Sequence, residues 1–177
     1  MNYDDEVEYV FKIVAVGTGG VGKTSVIRRF ASGKFENNYL MTLGVDFTTK
    51  SLKVNERNIK IVCADTAGQV YYGSIRPQYY EGANAALIMF DLTNRNSYES
   101  VNKWIEELRQ YIDVPIAIVG NKLDLTVENS SARRIEKSEA EEFSKSKNMT
   151  YFETSAKTAE NVDVVFSSLA KEILKGC

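Results

Sequence analysis

Histidine is absent from all 177 residues. That excludes Ser-His-Asp and Cys-His nucleophile systems and every histidine-containing metal site. A hard cation held by oxygen atoms remains open to the chain. Cysteine is scarce, with only Cys63 and Cys177. Two cysteines build no disulfide framework, which fits a reducing compartment. Cys63 sits in an apolar run and is expected to be buried, whereas Cys177 is the last residue. No apolar stretch approaches the roughly 20 residues a membrane span needs. The start, Met1–Glu8, is acidic and unlike a signal peptide. Basic runs are missing too. With a net charge of −2 the chain offers nucleic acid no electrostatic footprint, so no nucleic-acid partner is expected.

Apolar residues are not lacking. At 44% of the chain they suffice for one buried core, and the length suits one domain. We expect a single domain over 1–177, with an acidic extension at 1–8 and a short tail at 175–177. Val10–Val16 is a strand-like run ending at Gly17, and Ser25–Ala31 has helical character. Val45–Val54 and Ile59–Ala64 read as two strands around a turn at Asn55–Asn58. Ala85–Asp91 and Ile116–Val119 are short apolar runs that suit buried parallel strands. Tyr98, Val101, Ile105, Leu108 and Ile112 follow a 3, 4, 3, 4 spacing, one apolar face of a helix. Ser138 and Glu141 have the spacing of a capping box ahead of Phe143. Val162, Val165, Leu169 and Ile173 repeat the helical period, and Asn94–Ser97 and Thr126–Arg134 read as polar loops. Alternating strands and helices imply an α/β fold in three layers. Its six-stranded sheet is mostly parallel, with one antiparallel strand and helices on both faces. Ligands of such sheets sit at the carboxyl ends of the strands.

Gly17-Thr18-Gly19-Gly20-Val21-Gly22-Lys23-Thr24 matches G-x-x-x-x-G-K-[ST], after a strand and opening a helix. Glycines let successive backbone N–H groups turn inward on phosphate oxygens. The following helix adds its positive N-terminal end. Lys23 brings a point charge to β- and γ-phosphates, and the Thr24 hydroxyl is a ligand for Mg²⁺. Two further runs follow later strands and so lie on the same side of the sheet: Asn121-Lys122-Leu123-Asp124 and Glu153-Thr154-Ser155-Ala156-Lys157. Asp124 would accept from the N1–H and 2-amino group of guanine. Adenine offers neither donor and would leave the carboxylate unpaired, a mismatch that discriminates by about 10⁴–10⁵. Lys122 would lay its stem along the base, Asn121 would tie this loop to the phosphate loop, and the Ala156 N–H would meet the guanine O6. Read alone, Asn-Lys-x-Asp is also an ordinary polar turn.

In order and spacing, Gly17–Thr24, Asp65-Thr66-Ala67-Gly68-Gln69, Asn121–Asp124 and Glu153–Lys157 resemble the Ras superfamily of small GTPases, from about Val10 to Leu174. Thr42-Leu43-Gly44-Val45-Asp46-Phe47 and Tyr79-Tyr80-Glu81-Gly82-Ala83 look like the Rab branch. Ile88-Met89-Phe90-Asp91 with Arg76-Pro77 is similar to Ran. The resemblance implies a P-loop G domain that binds GTP or GDP with Mg²⁺ and hydrolyses GTP slowly. It implies nucleotide contacts from Gly17, Gly19, Gly20, Val21, Gly22, Lys23, Thr24, Ser25, Phe35, Tyr39, Thr42, Gly68, Asn121, Lys122, Asp124, Ser155, Ala156 and Lys157. Metal ligation falls to Thr24, Thr42 and, through water, Asp65. Phe35 packs on the guanine edge, the Gly68 N–H meets the γ-phosphate, and Gln69 is catalytic, orienting the attacking water. Thr42 belongs to switch I and Gly68 to switch II, both ordered by the γ-phosphate. Effectors, a GTPase-activating protein and an exchange factor would read these two segments. The tyrosines at 71, 72, 79 and 80 suit such a surface, and also suit ordinary packing. Gly19 leaves room beside the γ-phosphate for catalysis.

Three positions depart from the pattern. Val70 replaces a glutamate, Ala64 replaces a large aromatic, and Lys175-Gly176-Cys177 carries neither a long tail nor a C-a-a-X box. Membrane contact is expected only if Cys177 carries a lipid. A cytoplasmic monomer acting in vesicle traffic is the expectation. A non-hydrolysing GTP-bound scaffold and a small P-loop kinase are the alternatives. The kinase would leave Asn121–Asp124 without a role.

Overall fold

Strands buried on both faces need apolar side chains at successive positions, and the short runs of this chain supply them. The computed structural model describes residues 6–38, 41–68, 74 and 77–177. Among these, six strands form one sheet: β1 (Tyr9–Val16), β2 (Val45–Val54), β3 (Arg57–Thr66), β4 (Ala85–Asp91), β5 (Ile116–Asn121) and β6 (Thr150–Glu153). The order is β2-β3-β1-β4-β5-β6. Only the β2–β3 pair is antiparallel. The helices are α1 (Lys23–Ser32), α2 (Pro77–Tyr80), α3 (Arg95–Glu99), α4 (Val101–Arg109), α5 (Leu123–Glu128), α6 (Lys137–Ser146) and α7 (Val162–Lys175).

The two-residue period of the strands divides the core. Phe11, Ile13 and Ala15 of β1, with Leu87 and Met89 of β4 and Val119 of β5, pack with α1 and α7. Their neighbours Val14, Val16, Ile88, Phe90 and Ile118 pack with α4 and α6 on the other face. This is the three-layer arrangement that the alternation of strands and helices implies. The Phe30 ring of α1 stacks on Phe166 of α7, centroids 3.9 Å apart. Cys63 is buried, as its apolar surroundings lead one to expect, and burial pushes its thiol up to about 12. Among the described residues no helix is long and apolar enough to cross a membrane.

Several local expectations are corrected. The hairpin turn is narrower than Asn55–Asn58: only Asn55 and Glu56 leave the strands, both left-handed at φ 49° and 62°. The sequence has no Asn-Gly there, so the two-residue turn is not signalled. Asn94–Ser97 is not a loop. The Asn94 side chain accepts from the Ser97 N–H at 3.3 Å and starts α3. Ser100 interrupts the helical run, yet stays in helical conformation and passes the apolar stripe on to α4. Thr126–Arg134 is not all loop either, since α5 reaches Glu128 and a 3₁₀ turn covers Ser130–Ala132. Ser138 does not cap α6. The N-cap is two residues earlier, at Glu136, with no side-chain cap bond among the described residues.

Phe166→Ala is expected to cost about 3–5 kcal/mol, because it deletes a fully buried ring and its stacking partner cannot refill the space. The urea midpoint should fall with an unchanged slope. A midpoint equal to that of the parent would contradict the packing described.

Candidate nucleotide and metal site

The sheet's strand order reverses its direction of growth at β1, which has β3 on one side and β4 on the other. The carboxyl ends of the strands beside such a point form a crevice. The loop Gly17–Gly22 leaves β1 there and runs into α1. Gly22 precedes the helix at φ 97°, and a Cβ on it would strike the Asn121 amide. Only glycine fits. Lys23 is buried, and its ammonium donates to the carbonyls of Gly17 at 2.7 Å and Thr18 at 3.0 Å. The cation therefore lies over the loop. Gly68, just past β3, approaches the same loop so closely that a Cβ would meet the Gly17 carbonyl, the Gly19 N–H and the Lys23 ammonium.

Oxygen atoms converge beside Lys23. The Thr24 hydroxyl donates to Asp65 Oδ2 at 2.5 Å and lies 2.8 Å from the Thr42 hydroxyl. Thr42 is 3.4 Å from the same carboxylate oxygen. Asp65 is 2% exposed, and its Oδ1 has no hydrogen-bond partner among the described residues. Burial pushes the Asp65 carboxyl up, against the Thr24 hydrogen bond and the Lys23 charge; the Asp46 charge adds to the rise. Among the described residues no group of three or more His, Cys, Asp or Glu side chains gathers as a metal cage. One carboxylate with two hydroxyls instead fits a small hard cation that takes its other ligands from phosphate and water, as Mg²⁺ does. The orphaned Oδ1 is the observation that favours the fit.

A cavity of about 60 Å³ lies over the phosphate loop between Gly19, Lys23, Thr42 and Gly68. It shares Gly20, Gly22, Ser25 and Phe35 with a second cavity of about 300 Å³. Asn121, Lys122, Asp124, Ala156 and Lys157 line the second. The Asn121 amide donates to the Val21 carbonyl at 3.0 Å, and its oxygen accepts from the Thr154 hydroxyl at 3.0 Å. Asp124 accepts from the Ser155 hydroxyl at 2.7 Å. Lys122 is left-handed at φ 67°, a strained state for a side-chain-bearing residue. Its ammonium is fixed 2.7 Å from Asp91. Phe35 lies partly buried at the edge of the core and lines both cavities.

Thus all of the expected nucleotide-contacting and metal-ligating residues but Tyr39 fall on one crevice, its loop or its supports. Tyr39 and the catalytic candidate Gln69 lie outside the described residues, as do Val70, Tyr71, Tyr72 and Arg76. Sequence reasoning missed the supports. Arg133 forks onto Glu153 with two bonds of 2.9 Å, and the Tyr151 hydroxyl adds a third to that carboxylate at 2.9 Å. Burial would raise Glu153, but the guanidinium and phenol hold it below the ordinary carboxylate range. Arg28 pairs with Glu36 at 2.7 Å beside the phosphate cavity, and Thr18 bonds Ser100 at 2.8 Å. Thr18 and Ser100 are 82 residues apart, and none of these pairs follows a motif.

Fold and site together define a P-loop nucleotide-binding domain. The Ras family matches residues 12–175. Ras-related protein Rab-2B of Dictyostelium discoideum is 41% identical over 95% of this chain and 82% of its own. Human Ras-related protein Rab-30 is 39% identical over 96% and 83%. GTP-binding protein ypt3 of Schizosaccharomyces pombe is 38% identical over 99% and 81%. The chain belongs to the Ras family and is Rab-like within it. It is a small GTPase, a switch that binds and hydrolyses GTP. The relatives do not favour the scaffold or kinase alternatives.

Asp65→Asn keeps an acceptor for Thr24 and removes the buried charge. The folded value of Asp65 lies above the unfolded one. The group therefore opposes folding at neutral pH and adds stability as pH falls through its raised value. The thermal midpoint of the nucleotide-free, metal-free variant should exceed that of the parent at pH 7.5, while Mg²⁺ no longer tightens nucleotide binding. A variant whose nucleotide affinity still rises with Mg²⁺ would remove Asp65 from the metal site.

Proposed function

We propose that this chain, as one G domain over 1–177, is a Rab-type switch in membrane traffic, driven by GTP and Mg²⁺. The observation that carries the proposal is the convergence in one crevice of the phosphate loop, the Thr24–Thr42–Asp65 oxygen cluster and the Asn121–Asp124 cavity. Thr24 and Thr42 would hold Mg²⁺ directly and Asp65 through water. Bound there, the ion supplies positive charge against the β- and γ-phosphate oxygens. The phosphate-loop amides and Lys23 bind the same oxygens. Gly19 leaves the γ-phosphate accessible, and Gln69 orients water in line with it. On the base side, Asp124 accepts from the guanine N1–H and 2-amino group, the Ala156 N–H meets O6, and Phe35 and the Lys122 stem flank the ring. Thr42 and Gly68 sense the γ-phosphate, so the segments that carry them change on hydrolysis.

Partners would read those segments. Leu43 is 67% exposed and Phe47 51%, large apolar side chains on the surface of switch I and β2. Phe47 pairs in register with Ala64, which is fully buried. The surface beside Phe47 is therefore flatter than one built with an aromatic at 64. A cytoplasmic monomer reaching membranes through a lipid on Cys177 completes the reading. Cys177 is exposed, as that chemistry needs.

Two measurements test it. Gln69→Leu should lower single-turnover GTP hydrolysis at least tenfold with GTP affinity within about threefold; equal rates would end the role given to Gln69. Asp124→Asn presents an amide donor and acceptor that match xanthine, so competition binding should move from GTP to XTP. A variant that still prefers GTP would refute the Asp124 assignment.

A further inference from the structure

Arg29 belongs to none of the motifs that mark the site, yet it touches both walls of the base cavity. Its Nε donates to the Ala156 carbonyl at 2.7 Å and its Nη2 to the Lys157 carbonyl at 2.7 Å. Its Nη1 donates to the Gly33 carbonyl at 2.6 Å. Gly33 ends α1 at φ 70° and opens the segment that carries Phe35. The guanidinium carbon lies 6.0 Å from the Phe35 ring centroid, within cation–π range. Three backbone carbonyls from two segments thus share one planar donor group.

We infer that Arg29 is a positioning residue: it locks the Ala156–Lys157 loop to the Gly33–Phe35 segment, so that the base cavity closes and opens as a unit and sets how long a nucleotide stays. The inference rests on the proposed guanine site. The geometry supplies the reason. Holding the carbonyls of Ala156 and Lys157 fixes the plane of the peptides around the Ala156 N–H. Holding the Gly33 carbonyl fixes the path by which Phe35 arrives. The guanidinium fork reaches all three acceptors at once, and an ammonium, a point charge on a flexible stem, does not. Its hydrogen bonds go to Gly33, Ala156 and Lys157, none of which lines the phosphate cavity, and only its ring contact, Phe35, borders both. Its influence should therefore be equal for the di- and triphosphate, unlike that of Thr42 or Gly68, which face the phosphate cavity.

Dissociation of fluorescently labelled GDP and of a labelled non-hydrolysable GTP analogue, each chased with excess unlabelled nucleotide, tests this in Arg29→Ala and Arg29→Lys. Single-turnover hydrolysis of bound GTP is measured beside it. The expected result is release at least tenfold faster in Arg29→Ala, by the same factor for both nucleotides, with the hydrolysis step within about twofold. Arg29→Lys should restore less than half of the effect, and it carries the same test should the alanine variant fail to fold. Release within twofold of the parent in both variants overturns the inference. So does full rescue by lysine, which would make charge alone sufficient, or a parallel loss of hydrolysis, the mark of general loosening. Failure of the guanine reading shows separately, as equal retention of guanine and adenine nucleotides by the parent protein. The Arg29 rates decide the clamp in either case.

Discussion

The side-chain amide of Asn121 reaches from the end of β5 to the Val21 carbonyl in the phosphate loop, while its oxygen takes the Thr154 hydroxyl from the loop after β6. Three loops from three strands meet at one side chain that is 2% exposed. A buried amide left without its partners costs about 1–3 kcal/mol, so the arrangement is held from several sides. It also dictates its surroundings. A side chain on Gly22 would collide with this amide. Gly22 in turn starts α1, which carries Lys23 and Thr24 to the phosphate side and Arg29 to the base side. Phosphate and base sites are thus two ends of one hydrogen-bonded frame.

The two ends are built on different terms. On the base side the polar groups have partners in the protein: Asp124 has Ser155, Lys122 has Asp91, and Glu153 has Arg133 and Tyr151. Satisfied networks of this kind are rigid. On the phosphate side a nearly inaccessible carboxylate retains an oxygen with no donor among the described residues, and burial raises its proton affinity. Burying such a group works against folding unless something charged compensates it. The fold carries that cost at the place where a cation and phosphates would offset it.

What the sequence makes legible follows from the range of each cause. The phosphate loop is legible because eight consecutive residues carry the whole geometry. The parallel strands are legible because burial on both faces leaves continuous apolar runs. The start of α6 is misread because Ser138 and Glu141 have the right spacing two residues too late, and which residue caps a helix depends on where the chain arrives from. α3 is misread because it opens on the polar residues Arg95, Asn96 and Ser97, which join the helix through the Asn94 cap and the packing of Tyr98 against Phe90. The supports of the base site lie beyond any local pattern. Arg29 and Ala156 are 127 residues apart, and Arg133 meets Glu153 only because β6 closes the edge of the sheet.

The division between a satisfied end and an unsatisfied one bears on how a switch works. A ligand shifts an equilibrium only by its difference in affinity for the two states. Base contacts are common to GDP and GTP, so a rigid base site raises residence of both and leaves their ratio alone. Discrimination must come from groups whose partners change with the γ-phosphate. In the proposed site those are Thr42 and Gly68, one sharing the oxygen cluster with Thr24 and Asp65, the other pressed against Gly17, Gly19 and Lys23 without a side chain. Among the described residues neither is held there by a fork or a buried amide like those around the base. In the proposed site the frame through Asn121 would fix where the nucleotide sits, and the hydroxyls beside Asp65 would report which nucleotide it is.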